Sequence, residues 1–309
     1  MKKIYVLVII LLVSSFAFFS NRNAIGAPAY YQKSILDNQP SEIELSSVGS
    51  IDEPVLKNSE SIEVSAKSYL ILDRDTLTPI LEKDAFAKLP IASITKLMTA
   101  LVALDNGKLG DVVEVKKSYS DLPTPQMGLF PTEKITLENL LNGLLISSDN
   151  DAAEVIADYI SDGNYSAFVQ KMNDKAGEIG MKDSHFSNAI GLDDEKNHSS
   201  VQDLAYLANT ALHNSLIAEL VQTKEKRVTN IDGKITHYLK TTDELLDDKD
   251  VQVLGIKTGQ TPEALGCLLT LAKINNSHEV IVAVLGSPDR FGETKKLIQW
   301  VEKNVEWKK

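Results

Sequence analysis

Ser93 and Lys96 place a hydroxyl and an amine three positions apart in the largely apolar stretch PIASITKLMTA. A serine hydroxyl is a weak nucleophile at neutral pH and needs an adjacent base. A lysine amine serves as that base only when burial or a neighbouring cation lowers its pKa. The pair therefore predicts nucleophilic catalysis through Ser93, provided that the chain supplies a second cation and a route for the proton.

Two further motifs supply both groups. Ser148-Asp149-Asn150 lies in the break between two apolar helical patterns, and Lys257-Thr258-Gly259 precedes a pair of β-type runs. Taken singly, the serines and Asn150 are more simply helix caps, and the lysine motif is a turn at a strand edge. Taken together and in this order, the three motifs are the signature set of penicillin-binding proteins and serine β-lactamases.

Helical spacing of apolar residues after Ser93 puts that serine in the first turn of a predicted helix. Lys96 is then expected one turn further along the same face, within reach of the hydroxyl. The N-terminus of such a helix offers unpaired N–H groups and a partial positive charge, which stabilise an oxyanion. Similar helical patterns cover residues 137–145 and 153–160.

Strand patterns lie towards both ends of the chain. The segment SYLILDRDTLTPILEKD predicts a hairpin before Ser93, and ALGCLLTLAKI with EVIVAVLGS predicts a second, buried hairpin. The final stretch, ETKKLIQWVEKNVEW, predicts an amphipathic closing helix. The expected fold class is α/β in the α+β sense: an antiparallel sheet built from both chain ends and flanked by helices, with a helical lobe inserted between its strands.

Composition narrows the range of partners. The 309 residues carry a formal net charge of -11 with no long run of Lys or Arg, which argues against nucleic-acid binding. A chain of this length forms a core without metals or disulfides, and we expect neither a metal site nor a cofactor. The single cysteine, Cys267, excludes an internal disulfide and is best interpreted as a small core residue.

The first 61 residues are predicted to lie outside the catalytic domain. Lys2 and Lys3 precede a short apolar stretch and small residues, which predicts a secretory signal at residues 1–29, cut after Gly26 or Ala29. The alternative is an uncleaved signal anchor, and membrane contact is expected only in that case. Residues 30–61 are polar and aperiodic and predict a flexible tether, leaving residues 62–309 as a catalytic domain that works outside the cytoplasm, in the periplasmic or cell-wall space.

From about Ser68 to Leu297 the chain resembles the low-molecular-weight penicillin-binding proteins, the serine D-alanyl-D-alanine carboxypeptidases of peptidase family S11. Five ordered segments carry the resemblance: IASITKLMTA, MGLFPTEKITLENLLNGLLISSDNDAA, FSNAIGLDDEKNHSSVQDLA, GIKTGQTPEALGCLLT and LGSPDRFGETKKLI. The resemblance implies the penicillin-binding protein and β-lactamase fold, with its site in the cleft between the sheet and the helical lobe.

The resemblance also implies roles for particular residues. Ser93 would be the acylated nucleophile, Lys96 the base that takes its proton, and Ser148 the relay that passes the proton to the departing D-alanine. Asn150 would hold the lysine and the amide of the substrate.

A second group of residues would bind the end of the substrate. Lys257 and Thr258 would bind the terminal carboxylate, and Gly259 would let the substrate backbone lie against the strand. The backbone N–H groups of Ser93 and Gln260 would form the oxyanion hole. Arg290 would add a second charge for the carboxylate, unless it is an ordinary solvated arginine.

Three features depart from the pattern of the family. Asp149 stands where Gly is usual, and little harm is expected because Asp tolerates turn geometry. Leu254 stands where an acidic residue commonly precedes the Gly-x-Lys-Thr-Gly stretch. After Lys257 the chain is short, and we expect no β-rich C-terminal module and no anchor helix.

The expected function is a penicillin-sensitive D-alanyl-D-alanine carboxypeptidase that trims peptidoglycan stem peptides, with β-lactams as acylating inhibitors. Short members of the family include D,D-endopeptidases that cut peptide cross-links with the same residues, and this alternative stays open. A non-catalytic wall-binding protein is disfavoured because every chemical position is filled.

A class A β-lactamase is the nearest alternative that shares the three motifs. Those enzymes activate the deacylating water with a further glutamate, in a Glu-x-x-x-Asn loop after the second motif. No glutamate in the stretch after Tyr159 fits, since Glu178 is followed four positions later by Lys182, and Glu195 by Ser199. We therefore expect a penicillin to acylate Ser93 and to stay attached.

Overall fold

The computed structural model describes residues 52–58 and 60–309. Its helices are α1 (Thr95–Asn106), α2 (Leu137–Asn142), α3 (Asn150–Ile160), α4 (Tyr165–Ile179), α5 (Val201–Leu212), α6 (Ser215–Leu220) and α7 (Arg290–Asn304). Its strands are β1 (Glu53–Leu56), β2 (Ser68–Asp73), β3 (Pro79–Lys83), β4 (Leu89–Pro90), β5 (Val112–Glu114), β6 (Lys134–Thr136), β7 (His198–Ser199), β8 (Glu225–Thr229), β9 (Thr236–Lys240), β10 (Gln252–Thr261), β11 (Leu265–Ile274), β12 (His278–Ser287) and β13 (Val305–Lys308).

The central sheet has five strands in the order β10-β11-β12-β2-β3, and every neighbouring pair is antiparallel. The hairpin β2–β3 precedes Ser93 and the strands β10 to β12 follow the helices, so the sheet is built from both ends of the described chain. This confirms the predicted fold class and both predicted hairpins. Ser93 lies in the short turn Ala92–Ile94 between β4 and α1, and this turn contacts β10 and β11 of the sheet.

Both faces of the sheet are covered, which explains why its strands read as nearly continuous apolar runs. Along β2, Leu70 and Leu72 pack into the cluster that contains the helical region, whereas Ile71 faces the opposite cluster. That second cluster includes Leu297 and Val301 of α7. Because successive side chains of a strand point to opposite faces, a strand covered on both sides is apolar at every position.

The helical region surrounds α1, in which every residue from Thr95 to Ala103 is buried. The predicted helix at residues 153–160 is confirmed within α3. The predicted helix at 137–145 is confirmed in part, because α2 ends at Asn142 and a wider π-type turn continues from Gly143 to Ser147. This turn ends at Ser148, whose φ of 64° lies in the left-handed region. The second motif therefore sits at a sharp reversal between two helices.

Two predictions about the chain ends are wrong in part. The closing helix ends at Asn304 rather than continuing to residue 307, and Val305–Lys308 forms β13, which pairs antiparallel with β1. The predicted flexible tether thus contains an ordered strand at Glu53–Leu56. Pairing supplies backbone partners to a polar segment, and composition alone does not reveal such a partner. The predicted signal at residues 1–29 and the tether up to residue 51 lie outside the described residues.

Contacts of the last strand explain why the helix gives way to it. The indole of Trp307 stacks on His278 with ring centroids 4.4 Å apart, and its Nε1 donates to the Asp73 carboxylate at 2.7 Å. The alternation of Val305 and Trp307 suits a strand better than a helical turn. Within residues 52–58 and 60–309, none of the helices combines the length and the hydropathy that a membrane span requires.

Candidate active site

Ser93 lies in a tight 3-10 turn, Ala92–Ile94, immediately before α1. The prediction of a helix start is therefore correct in position, although the α-helix itself begins at Thr95. Ala92 has a φ of 49°, in the left-handed region that favours glycine. Such a conformation in a non-glycine residue is costly and persists only where the surroundings enforce it.

The backbone at two glycines closely approaches this turn. A Cβ on Gly191 would lie 2.0 Å from the Ala92 carbonyl oxygen, and Gly191 has a φ of +86°. A Cβ on Gly259, in β10, would lie 3.1 Å from the Ser93 nitrogen. Backbone from the 188–192 loop and from β10 thus contacts the turn so closely that a larger residue at Gly191 would displace it.

Lys96 is fully buried and is held by three acceptors. Its Nζ donates to Ser93 Oγ at 2.9 Å, to Asn150 Oδ1 at 2.7 Å and to the Ile190 carbonyl oxygen at 2.7 Å. Burial, and then the charge of Lys257, lower the pKa of Lys96 well below its usual range. This amine is therefore prepared to lose its proton while in contact with the serine.

Asn150 is the first residue of α3, and its side chain bridges two elements. Its Oδ1 accepts from Lys96, and its Nδ2 donates to the Pro123 carbonyl at 2.8 Å. These opposite contacts fix which end of the amide faces the lysine. Its backbone N–H donates to the Pro125 carbonyl at 2.9 Å, so the 123–125 segment lies along the site.

Asp151 holds residues 127–129, which follow the 123–125 segment, and this aspartate was not identified from the sequence. Its buried carboxylate accepts backbone N–H groups from Met127, Gly128 and Leu129, at 2.8 to 2.9 Å. The acidic residue that directly follows Ser-Asp-Asn was its only signal. The hydroxyl of Ser148, two residues before Asn150, makes no hydrogen bond within the described part of the chain.

Asp149, the residue that departs from the family pattern, is 2% exposed. One of its carboxylate oxygens has no hydrogen-bond partner among the described residues. Burial, with a smaller contribution from Asp151, raises the pKa of Asp149 to about 7, against the opposing charges of Lys96 and Lys257. The second motif thus carries a carboxyl group that titrates near neutrality.

Lys257 in β10 is the second buried amine and is 2% exposed. Its Nζ donates to the Thr258 carbonyl at 3.2 Å. Burial lowers the pKa of Lys257 to about 7, although the carboxylates of Asp243 and Asp149 oppose the shift. The neighbouring Thr258 hydroxyl lies 2.5 Å from the hydroxyl of Thr242.

Arg290 begins α7 beside the end of β10. Its guanidinium donates to the Gln260 side-chain oxygen and lies over the Phe291 ring, 4.5 Å from the centroid. Burial lowers the pKa of Arg290, and its Nε has no partner among the described residues. A half-buried arginine of this kind differs from an ordinary solvated one.

Direct hydrogen bonds thus join Ser93, Lys96 and Asn150, while Gly259 contacts the serine turn. Strand β10 carries Lys257 and Thr258 before Gly259, and Gln260 after it. Arg290 donates a hydrogen bond to the Gln260 side chain. Cys267 is buried in β11, as predicted for a small core residue.

Residues 55–289 match the model of a protein family described as D-alanyl-D-alanine carboxypeptidase, peptidase family S11. The chain belongs to this family. The resemblance found in the sequence motifs is therefore confirmed.

Three relatives define how close the similarity is. D-alanyl-D-alanine carboxypeptidase DacF of Bacillus subtilis is 34% identical over 79% of this chain and 64% of its own length. D-alanyl-D-alanine endopeptidase of Pseudomonas aeruginosa is 31% identical over 78% of each. The crystal structure of the Streptomyces K15 DD-transpeptidase has a TM-score of 0.73 and 31% identity, covering 78% of this chain and 98% of that one. The chain spans less than two thirds of the length of DacF.

Proposed function

We propose that this protein is a serine D-alanyl-D-alanine carboxypeptidase that trims peptidoglycan stem peptides through an acyl-enzyme on Ser93. One observation carries the proposal: a fully buried Lys96, with a lowered pKa, is hydrogen-bonded to the Ser93 hydroxyl and to Asn150. A serine is activated when such a base lies within about 3 Å of its hydroxyl.

Acylation begins when neutral Lys96 takes the Ser93 proton as Oγ attacks the carbonyl carbon of the penultimate D-alanine. The carbonyl oxygen becomes an oxyanion and receives hydrogen bonds from the backbone N–H groups of Ser93 and Gln260. Loss of one such donor costs about 2.7 to 4 kcal/mol of transition-state stabilisation in comparable enzymes. Because Gly259 approaches the serine turn so closely, β10 carries its own N–H groups towards the same point.

The second half of acylation expels D-alanine. The proton on Lys96 passes through the Ser148 hydroxyl to the leaving nitrogen, the C–N bond breaks, and the acyl group stays on Ser93. A water molecule then attacks the ester, Lys96 takes its proton, and the Ser93 hydroxyl is restored as the shortened peptide leaves. Asn150 holds both the lysine and the amide of the substrate.

Lys257 has two functions in this scheme. As an ammonium it binds the terminal carboxylate together with Thr258 and Arg290, and its charge keeps the pKa of Lys96 low. Because Lys257 is buried and its own pKa is about 7, the bound carboxylate would stabilise its charged form.

A D,D-endopeptidase acting on peptide cross-links is the second candidate. The 31% identity to the Pseudomonas aeruginosa endopeptidase, over 78% of both chains, supports it. The class A β-lactamase and wall-binding alternatives lack such support, since the deacylating glutamate motif is missing and the three motifs are filled.

The predicted site of action is outside the cytoplasm. We propose residues 1–29 as an export signal and the segment from 30 to about 51 as a tether before the catalytic domain. Membrane attachment would then depend on whether this signal is cleaved. D-Ala-D-Ala peptides and β-lactams are the proposed ligands, and the charge of -11 argues against nucleic acid.

Purified muropeptides distinguish the two candidates. Uncross-linked pentapeptide and cross-linked dimer are incubated separately with the protein and with Ser93→Ala, and the products are identified by mass spectrometry. The proposal predicts free D-alanine from the pentapeptide and no product with Ser93→Ala. Cleavage of the dimer alone would assign the endopeptidase, and cleavage by Ser93→Ala would refute the mechanism.

A further inference from the structure

One face of α3 carries three polar side chains at four-residue spacing, Asn150, Glu154 and Asp158. Residues spaced in this way lie above one another on a helix. Asn150 accepts from Lys96, and Glu154 Oε1 accepts from the Tyr165 hydroxyl at 2.8 Å. The face that contacts the catalytic lysine therefore continues into the helical region as a row of carboxylates.

Tyr165 connects this row to the backbone that covers Lys96. Its hydroxyl donates to Glu154 and accepts the Ala189 N–H at 3.0 Å. The following residue, Ile190, supplies the carbonyl that accepts from Lys96 at 2.7 Å. The Glu154 carboxylate is thus connected to Lys96 through the Tyr165 side chain and the backbone from the Ala189 N–H to the Ile190 carbonyl.

The position of the Ile190 carbonyl determines the direction of the lysine lone pair. A neutral amine has two N–H donors and one lone pair, and two of its three neighbours, Asn150 Oδ1 and Ile190 O, are pure acceptors. If both N–H groups are used on those acceptors, the lone pair is left facing the Ser93 hydroxyl at 2.9 Å. That is the arrangement required for proton abstraction.

The 188–192 loop has other supports, which show what Tyr165 adds. Thr99 Oγ1 donates to the Ala189 carbonyl at 2.6 Å, and the Asn188 side chain accepts the Gly191 N–H at 2.6 Å. Both supports are uncharged. Tyr165 alone among these contacts links the loop to a carboxylate.

Charge surrounds Glu154 on several sides. Burial raises the pKa of Glu154, while the Tyr165 hydrogen bond and the charges of Lys117 and Lys96 oppose it and Asp158 adds to it. Tyr119, which donates to Asp158, also faces Glu154.

Lys96 in turn faces charges from β10 and from the second motif. Burial and Lys257 lower the pKa of Lys96, whereas Asp149 and Glu154 raise it. When it is ionised, Glu154 favours the charged form of Lys96, so loss of its charge would let the amine lose its proton at a lower pH.

We propose that Tyr165 and Glu154 are positioning residues for Lys96: the Glu154 carboxylate holds the Tyr165 hydroxyl, and Tyr165 fixes the Ile190 carbonyl that directs the lysine lone pair. Neither side chain contacts the substrate in this scheme. The inference rests on the proposed function in one respect, the assignment of Lys96 as the base.

The test compares Tyr165→Phe and Glu154→Gln with a matched control, Tyr119→Phe. The control removes the same hydroxyl-to-carboxylate hydrogen bond one helical turn further along α3 but no contact with the loop. The rate of Ser93 acylation by benzylpenicillin is measured across pH by intact mass. The final amount of adduct gives the fraction of folded sites, so a loss of folded protein is separated from a change in rate.

Tyr165→Phe is expected to slow acylation by about three- to tenfold, the effect of one buried hydrogen bond. Glu154→Gln keeps an acceptor for Tyr165 but loses its charge, so the rise of the rate with pH is expected to move to lower pH. Tyr119→Phe is expected to leave both the rate per folded site and the pH of this rise unchanged.

Two results would overturn the inference for different reasons. If the unmodified protein is acylated but Tyr165→Phe and Glu154→Gln both behave as Tyr119→Phe does, these residues do not position Lys96, while the proposed function stands. If the unmodified protein is not acylated at all, the proposed function fails, and the inference fails with it.

Discussion

The chemistry of the site depends on two buried amines with different tasks. Burial lowers the pKa of both Lys96 and Lys257. In the proposed mechanism, however, Lys96 must be neutral to accept a proton and Lys257 must be charged to bind a carboxylate. Carboxylates of Asp243 and Asp149 favour the charged form of Lys257. Activity should therefore need a pH above the pKa of Lys96 and below that of Lys257.

Lys257 predicts the upper limit of that window. In the free protein its pKa is about 7, so kcat/KM for a substrate with a terminal carboxylate is expected to fall as pH rises through that region. Arginine keeps its charge to above about pH 12. Lys257→Arg should therefore retain part of the activity, and the fall of its kcat/KM should move to higher pH. Lys257→Ala should lose activity at every pH. Steady-state release of D-alanine across pH measures all three, and unchanged turnover in Lys257→Ala would refute the assignment.

Asp149 predicts a pH-dependent cost to stability. Its pKa is about 7 in the folded protein and about 4 in an unfolded chain, so between these values only the folded state holds the proton. The free energy of unfolding must then fall as pH rises from 4 to 7. Asp149→Asn removes this pH dependence. Between pH 4 and pH 7 its free energy of unfolding should therefore rise relative to that of the parent protein, by no more than about 4 kcal/mol in total. Denaturant unfolding at several pH values measures the difference, and parallel curves would contradict the pKa.

At the scale of elements, the serine turn is held in shape by backbone from outside α1. Gly191 and Gly259 approach Ala92 and Ser93 closely, and Ala92 has a positive φ in this crowded turn. We therefore expect the position of Ser93 to depend on the 188–192 loop and on β10 as well as on its own helix.

Gly191→Ala tests this dependence, with Gly163→Ala as its control. Both glycines have a positive φ, +86° and +82°, so both substitutions carry a backbone cost of about 1 kcal/mol or more. Only at Gly191 would the new Cβ meet the Ala92 carbonyl, whereas nothing lies within 4 Å at Gly163. Gly191→Ala should therefore slow penicillin acylation at least about tenfold per folded site, and Gly163→Ala should only lower the melting temperature. Equal acylation rates in the two variants would show that the contact does not position Ser93.

Much of the architecture could be predicted because its signals are local. Helical and strand periodicity identified α1, α3 and the two hairpins. The three motifs made Ser93, Lys96, Asn150 and Lys257 candidate site residues, because the proposed chemistry requires those residue types. The positive φ of Ala92, the loop contacts of Asp151 and the carbonyl of Ile190 were not predictable. Each of these arises from a contact between segments that are distant in the sequence.

At the scale of the whole molecule, the sheet holds the parts of the site together from distant points of the chain. β1 pairs with β13, and β2 pairs with β12, so segments near the two ends of the described chain are joined in two sheets. The predicted flexible tether at residues 30–61 did not include the pairing of β1 with β13, because a strand needs a partner that composition does not specify. The helical region then brings Asn150 and Ile190 to Lys96 against that frame.

The central claim is that Ser93 forms an acyl-enzyme that this site hydrolyses slowly when the acyl group is a penicillin. A class A β-lactamase glutamate is missing from the expected segment, and the tethered leaving group of a penicillin would obstruct the incoming water. Intact-mass measurement after addition of benzylpenicillin tests the claim most directly. The account predicts a mass increase of one drug molecule that persists for minutes or longer and that Ser93→Ala lacks. Rapid turnover of the drug without an accumulated adduct, or an adduct that forms equally on Ser93→Ala, would contradict it.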